Sequence, residues 1–178
     1  MNVWIAPPKK IPLYLRLGIW FAERTAGKEM LIGRLLAWYP RAAISSGILE
    51  ALIAHTEPGI SPRLLKLVRL QASFAVACPF CIDMNSHAPA AQDLTPDEVA
   101  ALRGQTPVEA VATFSQRERL AVEYARRVSQ TPLKFPATLM DALTENFSER
   151  EIVILATTAA QVNYWARTIQ ALGVPPAG

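Results

Sequence analysis

The 178-residue sequence predicts an all-α fold. Three observations carry that prediction. Helix-start signals recur along the chain, each with a polar cap and a partner three residues on. No segment alternates apolar and polar residues with the period of a half-buried strand. The run Ile152–Val162 is apolar on nearly all sides, which reads as a helix at the centre of the molecule. The length suits a single domain with a full core.

Nine helices follow in order. Residues 13–26 form the first, in an apolar stretch that Lys9 and Lys10 precede and Arg16 interrupts. That stretch is too short to span a bilayer and lacks a small-residue cleavage site, so it reads as an amphipathic helix resting on a subunit, with a membrane surface as the lesser alternative. Residues 29–38 and 41–54 complete an aromatic-rich start that includes Trp4, Tyr14, Trp20, Phe21, Trp38 and Tyr39. Residues 1–57 are therefore expected to form a helical layer on a core of residues 58–178, the whole being one domain. Helix 62–77 opens on Ser61 as N-cap with Pro62 at the first helical position. Helix 79–91 opens on Pro79. Thr95–Glu98, Ser115–Glu118 and Ser148–Glu151 are capping boxes that start helices 96–103, 116–130 and 149–172. Residues 136–146 lie between the last two of these. Gly173 followed by Pro175 stops the final helix.

Composition excludes several function classes. Apolar residues make up 51% and charged residues 19%, a globular balance rich enough in apolar side chains for a subunit interface. The net charge of +3 comes from scattered arginines with no basic run among aromatics, so nucleic-acid binding is not expected. Two cysteines do not make a secreted disulfide scaffold. With no credible export signal, the expected compartment is the cytoplasm.

The chemistry concentrates at Cys78-Pro79-Phe80-Cys81, which holds both cysteines of the chain. Two thiols at this spacing can close a disulfide across one helical turn. A helix start favours thiolate, the form that attacks peroxides and disulfides. Redox function is the leading reading; buried structural cysteines and metal binding are the alternatives. A metal would draw on Cys78, Cys81 and His87 with Asp83 or Asp93, a spacing that matches no standard zinc site. Phe80, Phe74 and Met84 wall the thiol site or belong to the core. A thioredoxin-like scaffold is excluded, because that fold needs a central sheet.

The segment Ala77-Cys78-Pro79-Phe80-Cys81-Ile82-Asp83-Met84-Asn85-Ser86 resembles the core motif of the AhpD-like, or carboxymuconolactone decarboxylase, family. Supporting matches are Leu94–Val99, Phe114–Arg119, Phe147–Ile152, Asn163–Arg167 and Ala171–Val174. The resemblance runs from about residue 60 to the end. It implies an AhpD-like multi-helical bundle with the CxxC at a helix N-terminus, assembled as dimers, trimers or hexamers. It also implies a peroxidase or disulfide-reductase activity that uses a hydroperoxide and a dithiol reductant such as a lipoyl-bearing protein, with no cofactor and no metal. In that scheme Cys81 is the nucleophile and Cys78 the resolving thiol.

Two positions depart from the family pattern. Members carry a histidine four residues after the second cysteine as general base; this chain has Asn85 there, which cannot take up a proton near neutral pH. They also carry a glutamate twelve residues before the first cysteine; this chain has Lys66, expected to be a solvated lysine on helix 62–77. His87, six residues after Cys81, points to another face of a straight helix and is the remaining candidate base. Asp83 is also off the Cys81 face. Two other readings stay open. One is a decarboxylase-type lyase, which would need His55 or His87. The other is a non-catalytic helical oligomer that binds a small molecule or partner.

Overall fold

The computed structural model describes residues 3–53, 57–86 and 94–176. Among them the chain forms nine α-helices, one 3-10 turn and no strand; a single bridge joins Glu57 and Ile60. The expected all-α fold is what is found. The chain groups into two compact units, Met1–Ile53 with Arg167–Gly178, and Ala54–Ala166.

The second unit is built around α4 (Pro62–Ala75), which packs against α5 (Pro79–Ser86), α6 (Pro96–Leu102) and α7 (Gln116–Val128). After α6 comes a 3-10 turn at Val108–Ala110, which the sequence did not signal. α8 (Ala137–Asn146) packs on α7, and α9 (Glu149–Ala171) closes the order. Nine of the fourteen residues of α4 are buried, including Leu65, Leu67 and Val68. Leu67 and Leu70 join Leu102, Val111, Phe114 and Val122 in one apolar cluster, against which Phe74 packs. Phe74 thus serves the core, under the Arg103 guanidinium 5.5 Å from its ring centre.

The central helix is therefore α4, not the expected 152–162 segment. In α9, Leu155, Thr158 and Ala159 are fully buried, while Val153, Thr157, Ala160 and Tyr164 are exposed. Uniform apolarity in a helix does not say which of its faces finds a partner.

All three capping boxes form. The Thr95, Ser115 and Ser148 hydroxyls accept from the N–H groups of Glu98, Glu118 and Glu151, whose carboxylates accept in return from the cap N–H groups. These glutamates also link helices. Arg63, in the first turn of α4, donates to Glu98 at 2.5 Å and to Glu118 at 2.8 Å, tying the starts of three helices together. Arg117 does the same for Glu151 at 2.6 Å. Gly59 belongs here too: its φ is +85°, and a Cβ on it would lie 2.7 Å from the Glu151 carboxylate. Burial pushes Glu98 up, but the Thr95 N–H, the Thr113 hydroxyl and Arg63 outweigh it and hold the carboxyl below its ordinary value.

The first unit holds α1 (Leu13–Ala26), α2 (Leu31–Leu36) and α3 (Pro40–Leu52), with the end of α9. α1 stops at Gly27 in the left-handed region, and Pro40 opens α3. Gly173, at φ +66°, ends α9 as expected, with the Val174 N–H reaching back to the Ile169 carbonyl. The expected extension of α5 to residue 91 falls outside the described residues, as do His55, His87 and Asp93.

Candidate active site

The site begins where α4 ends. Ala77 takes the left-handed conformation at φ 49°, the only non-glycine to do so among the described residues. The Cys78 N–H then donates to the Ser73 carbonyl and the Ala77 N–H to that of Phe74. This is the helix stop that normally uses glycine, made here with alanine. It reverses the chain so that α5 starts at once and packs back on α4.

Cys78 occupies the N-cap position of α5, and Pro79 follows where its missing N–H costs nothing. The Cys78 carbonyl accepts from Ile82 at 2.9 Å and its sulfur accepts from the Cys81 N–H at 3.2 Å. Sulfur here takes the place that a serine or aspartate oxygen takes in an ordinary cap. Cys78 and Cys81 are joined as a disulfide, with Cα atoms 5.3 Å apart. Cys78 is wholly buried and Cys81 is 5% exposed. Any reagent from solution therefore meets Cys81 first.

Asn85 lies one turn beyond Cys81 on the same face of α5. Its amide donates to the Ser73 hydroxyl at 3.1 Å, and that hydroxyl donates to the Arg69 carbonyl at 2.8 Å. The polarity of the chain is fixed: Ser73 has spent its proton on Arg69, so it can only accept, and Asn85 must turn its NH2 toward it. The Asn85 carbonyl oxygen is an acceptor with no proton to give. Sequence reasoning missed Ser73, because nothing local marks a serine that meets its partner across two helices.

Lys66 is not solvated. It is 5% exposed, because α4 is enclosed on nearly every side. Burial, with the neighbouring Arg69 charge, lowers its ammonium from 10.5 to about 8. It forms no hydrogen bond or ion pair with another described residue. Lys66 precedes Ser73 by two helical turns, ~10 Å along the axis. Ser73, and not Lys66, meets Asn85. Of the four predicted site residues, Cys78, Cys81 and Asn85 come together on α5, and His87 lies outside the described residues. Phe80 is buried and Met84 half-buried. Among the described residues no three His, Cys, Asp or Glu side chains gather as a metal site.

Comparison with known proteins places this architecture. The model of the carboxymuconolactone decarboxylase family matches residues 44–127. The uncharacterized protein YnjA of Escherichia coli (strain K12) is 29% identical over 180 residues, covering 98% of this chain and 94% of its own length. The likeness thus extends over the N-terminal helices as well as the region after residue 60. Among solved structures, the debrominase Bmp8 superposes with a TM-score of 0.81 at 20% identity, over 99% of this chain and 93% of its own. An AhpD-core, peroxidase-related protein from Ralstonia eutropha JMP134 gives 0.73 at 16% identity, over 97% and 90%. With a helical fold of this kind and a CxxC pair opening α5, the family model on residues 44–127, the segment that contains the pair, supports an AhpD/carboxymuconolactone decarboxylase-like family for this chain.

Proposed function

We propose that this protein is a thiol-dependent peroxidase or disulfide oxidoreductase that works through Cys78 and Cys81. The observation that carries the reading is the Cys78–Cys81 pair bonded at the start of α5, with Cys81 as the sulfur nearer solvent. As a peroxidase, the Cys81 thiolate attacks the outer oxygen of a hydroperoxide, giving a sulfenic acid and an alkoxide that takes up a proton. The Cys78 thiol then displaces water from that sulfenic acid and forms the disulfide. A dithiol, such as a lipoyl group on a partner protein, reduces the disulfide and becomes oxidised itself. The partners proposed are therefore a hydroperoxide, a dithiol reductant and further copies of this chain, in the cytoplasm. No helix among the described residues is long and apolar enough to cross a membrane.

Asn85, one turn beyond Cys81, can take no proton from its thiol. His87, the histidine nearer the pair in sequence, is the candidate to receive that proton. Asn85 also favours a second reading of the electrophile. With no acid one turn from Cys81, a leaving group that is stable as an anion suits the site better than an alkoxide. A disulfide expels such a group, a thiolate; the debrominase Bmp8, which shares the fold, makes a bromopyrrole a further electrophile to try.

The test is steady-state turnover with a dihydrolipoyl dithiol as reductant, comparing the natural chain with Cys81→Ser. An organic hydroperoxide, a small disulfide and a bromopyrrole are offered in separate arms. Turnover of the hydroperoxide or the disulfide that falls at least ~100-fold in the variant supports the reading. Absence of turnover in every arm refutes it and leaves a binding role. Activity that survives loss of both cysteines points to lyase chemistry.

A further inference from the structure

The proposed chemistry needs the Cys81 thiol to lose a proton, and Asn85, one turn on, cannot take it. The nearest group that can is the other sulfur. The two cysteines are bonded across the first turn of α5, so after reduction the Cys78 sulfur stays the closest acceptor for the Cys81 S–H. How each sulfur is held decides which of them carries charge. The Cys78 sulfur accepts from the Cys81 N–H at 3.2 Å, in the place of an N-cap oxygen. Among the described residues no donor reaches the Cys81 sulfur. An N–H bond favours the charged form of the sulfur that accepts it, and the unpaired N–H groups of a helix start add to this. When the reduced pair holds one proton, the negative charge therefore settles on Cys78.

Burial works against a thiolate, and Cys78 is wholly buried where Cys81 is 5% exposed. The cap bond offsets that cost, and so does the charge balance. α5 packs on α4, and the charged residues of these two helices are Arg63, Lys66, Arg69 and Asp83. Arg63 is committed to Glu98 and Glu118, which leaves two cations against one anion on the helix pair. Enclosure also limits what a Cys78 thiolate does. It is shielded from electrophiles in solution, yet it can take a proton from the sulfur beside it.

We infer that Cys78 is the proton acceptor for Cys81 as well as its resolving partner, so that the pair supplies its own base. This rests on the redox reading proposed above and deepens it. After a dithiol reduces the disulfide, the pair sheds one proton and keeps one, as Cys78 S⁻ and Cys81 S–H; His87 is left with the proton that is shed. The remaining proton crosses to Cys78, and the Cys81 thiolate attacks the outer oxygen of the hydroperoxide. The O–O bond breaks, Cys81 is oxidised to a sulfenic acid, and the alkoxide takes up the shed proton as an alcohol. Cys78, now a thiol, attacks the sulfenic sulfur; the S–S bond forms and water leaves.

The test is the pH profile of Cys81 alkylation by iodoacetamide, followed by mass, in the reduced full chain, natural and as Cys78→Ser. Ultraviolet thiolate absorbance of reduced Cys81→Ser, read against the variant lacking both cysteines, gives the ionisation of Cys78 alone. The serine hydroxyl is itself an N-cap acceptor, so the start of α5 is kept, with far-UV circular dichroism as the check. In the natural chain the rate should level off where the pair loses its first proton, at least ~1 pH unit below the ~8.5 of a free cysteine. In Cys78→Ser the profile should move up by at least ~1 pH unit. Cys78 in Cys81→Ser should ionise below Cys81 in Cys78→Ser. A profile that Cys78→Ser leaves in place, or a Cys78 that ionises no lower than Cys81, overturns the inference. These readouts follow protons and not turnover. A shifted profile with no turnover in any arm of the earlier test would uphold the proton assignment while refuting the redox reading.

Discussion

Lys66 offers the sharpest test of the site's energetics. Its ammonium is buried in the middle of α4, lacks a hydrogen bond or ion pair with any described residue, and titrates at about 8 where a free lysine titrates at 10.5. The unfolded chain therefore holds this proton more tightly than the folded one, and stability rises with pH between those values. At pH 7 the charged lysine costs ~3 kcal/mol of folding free energy, and by pH 10 the cost falls to ~1 kcal/mol. Lys66→Met keeps an unbranched side chain of similar reach and good helix propensity while removing the charge. Urea denaturation of the oxidised protein, followed by circular dichroism at pH 7 and pH 10, reads the difference directly. The variant is expected to be ~2–3 kcal/mol more stable at pH 7, with the advantage mostly gone at pH 10. Tyr124, whose hydroxyl burial pushes up, is common to both proteins and cancels. A variant no more stable at pH 7, or an advantage that persists at pH 10, would refute the claim that an uncompensated charge lies inside α4.

Three further outcomes are expected. Glu98→Gln removes the charge that Arg63 and the Thr95 cap share, and should lower stability by ~2–3 kcal/mol at neutral pH. Because Glu98 is depressed from 4.5, its contribution in the natural chain is full above that value and drains as pH falls below it, so acid melts of the two proteins should converge. Ala77→Gly relieves a left-handed alanine and should raise the thermal midpoint by a stability gain of ~1 kcal/mol, since a loss there would mean that the Cβ is in use. Asn85→His restores a proton acceptor one turn from Cys81; the pH profile of peroxide turnover or alkylation by the reduced protein should shift to lower pH, and an unmoved profile would show that position 85 does not face the thiol.

The helix starts were legible because a cap is a local device. Ser61, Thr95, Ser115 and Ser148 each sit within three residues of the N–H they satisfy, and all four act as read. The same holds for the CxxC, which pairs two residues a turn apart. What was not legible depends on neighbours distant in sequence. Lys66 reads as solvated because a lysine usually is, and only the enclosure of α4 reverses that. The centre of the molecule was misplaced to 152–162 because apolar composition does not report which face meets another helix. Ala77 carries no mark of its left-handed turn, and Ser73 none of its bond to Asn85.

Those hidden residues share a location. Ala77 holds an unfavourable backbone conformation directly before Cys78, and Lys66 holds an unfavourable charge on the α4 face that also carries Ser73. Both lower stability, and neither is required for the helices to form: glycine would end α4 with less strain, and any apolar residue would fill position 66. Strain and buried charge accumulate where a fold serves chemistry as well as packing. The alanine Cβ at position 77 stiffens the turn that sets the Cys78 sulfur over the Cys81 N–H, which a glycine would leave freer to move. If that stiffness matters, Ala77→Gly gains stability and loses turnover together, and Lys66→Met does the same through charge. Stability gained in both variants with turnover unchanged would instead mark these positions as neutral drift around a site that depends on the cysteines alone.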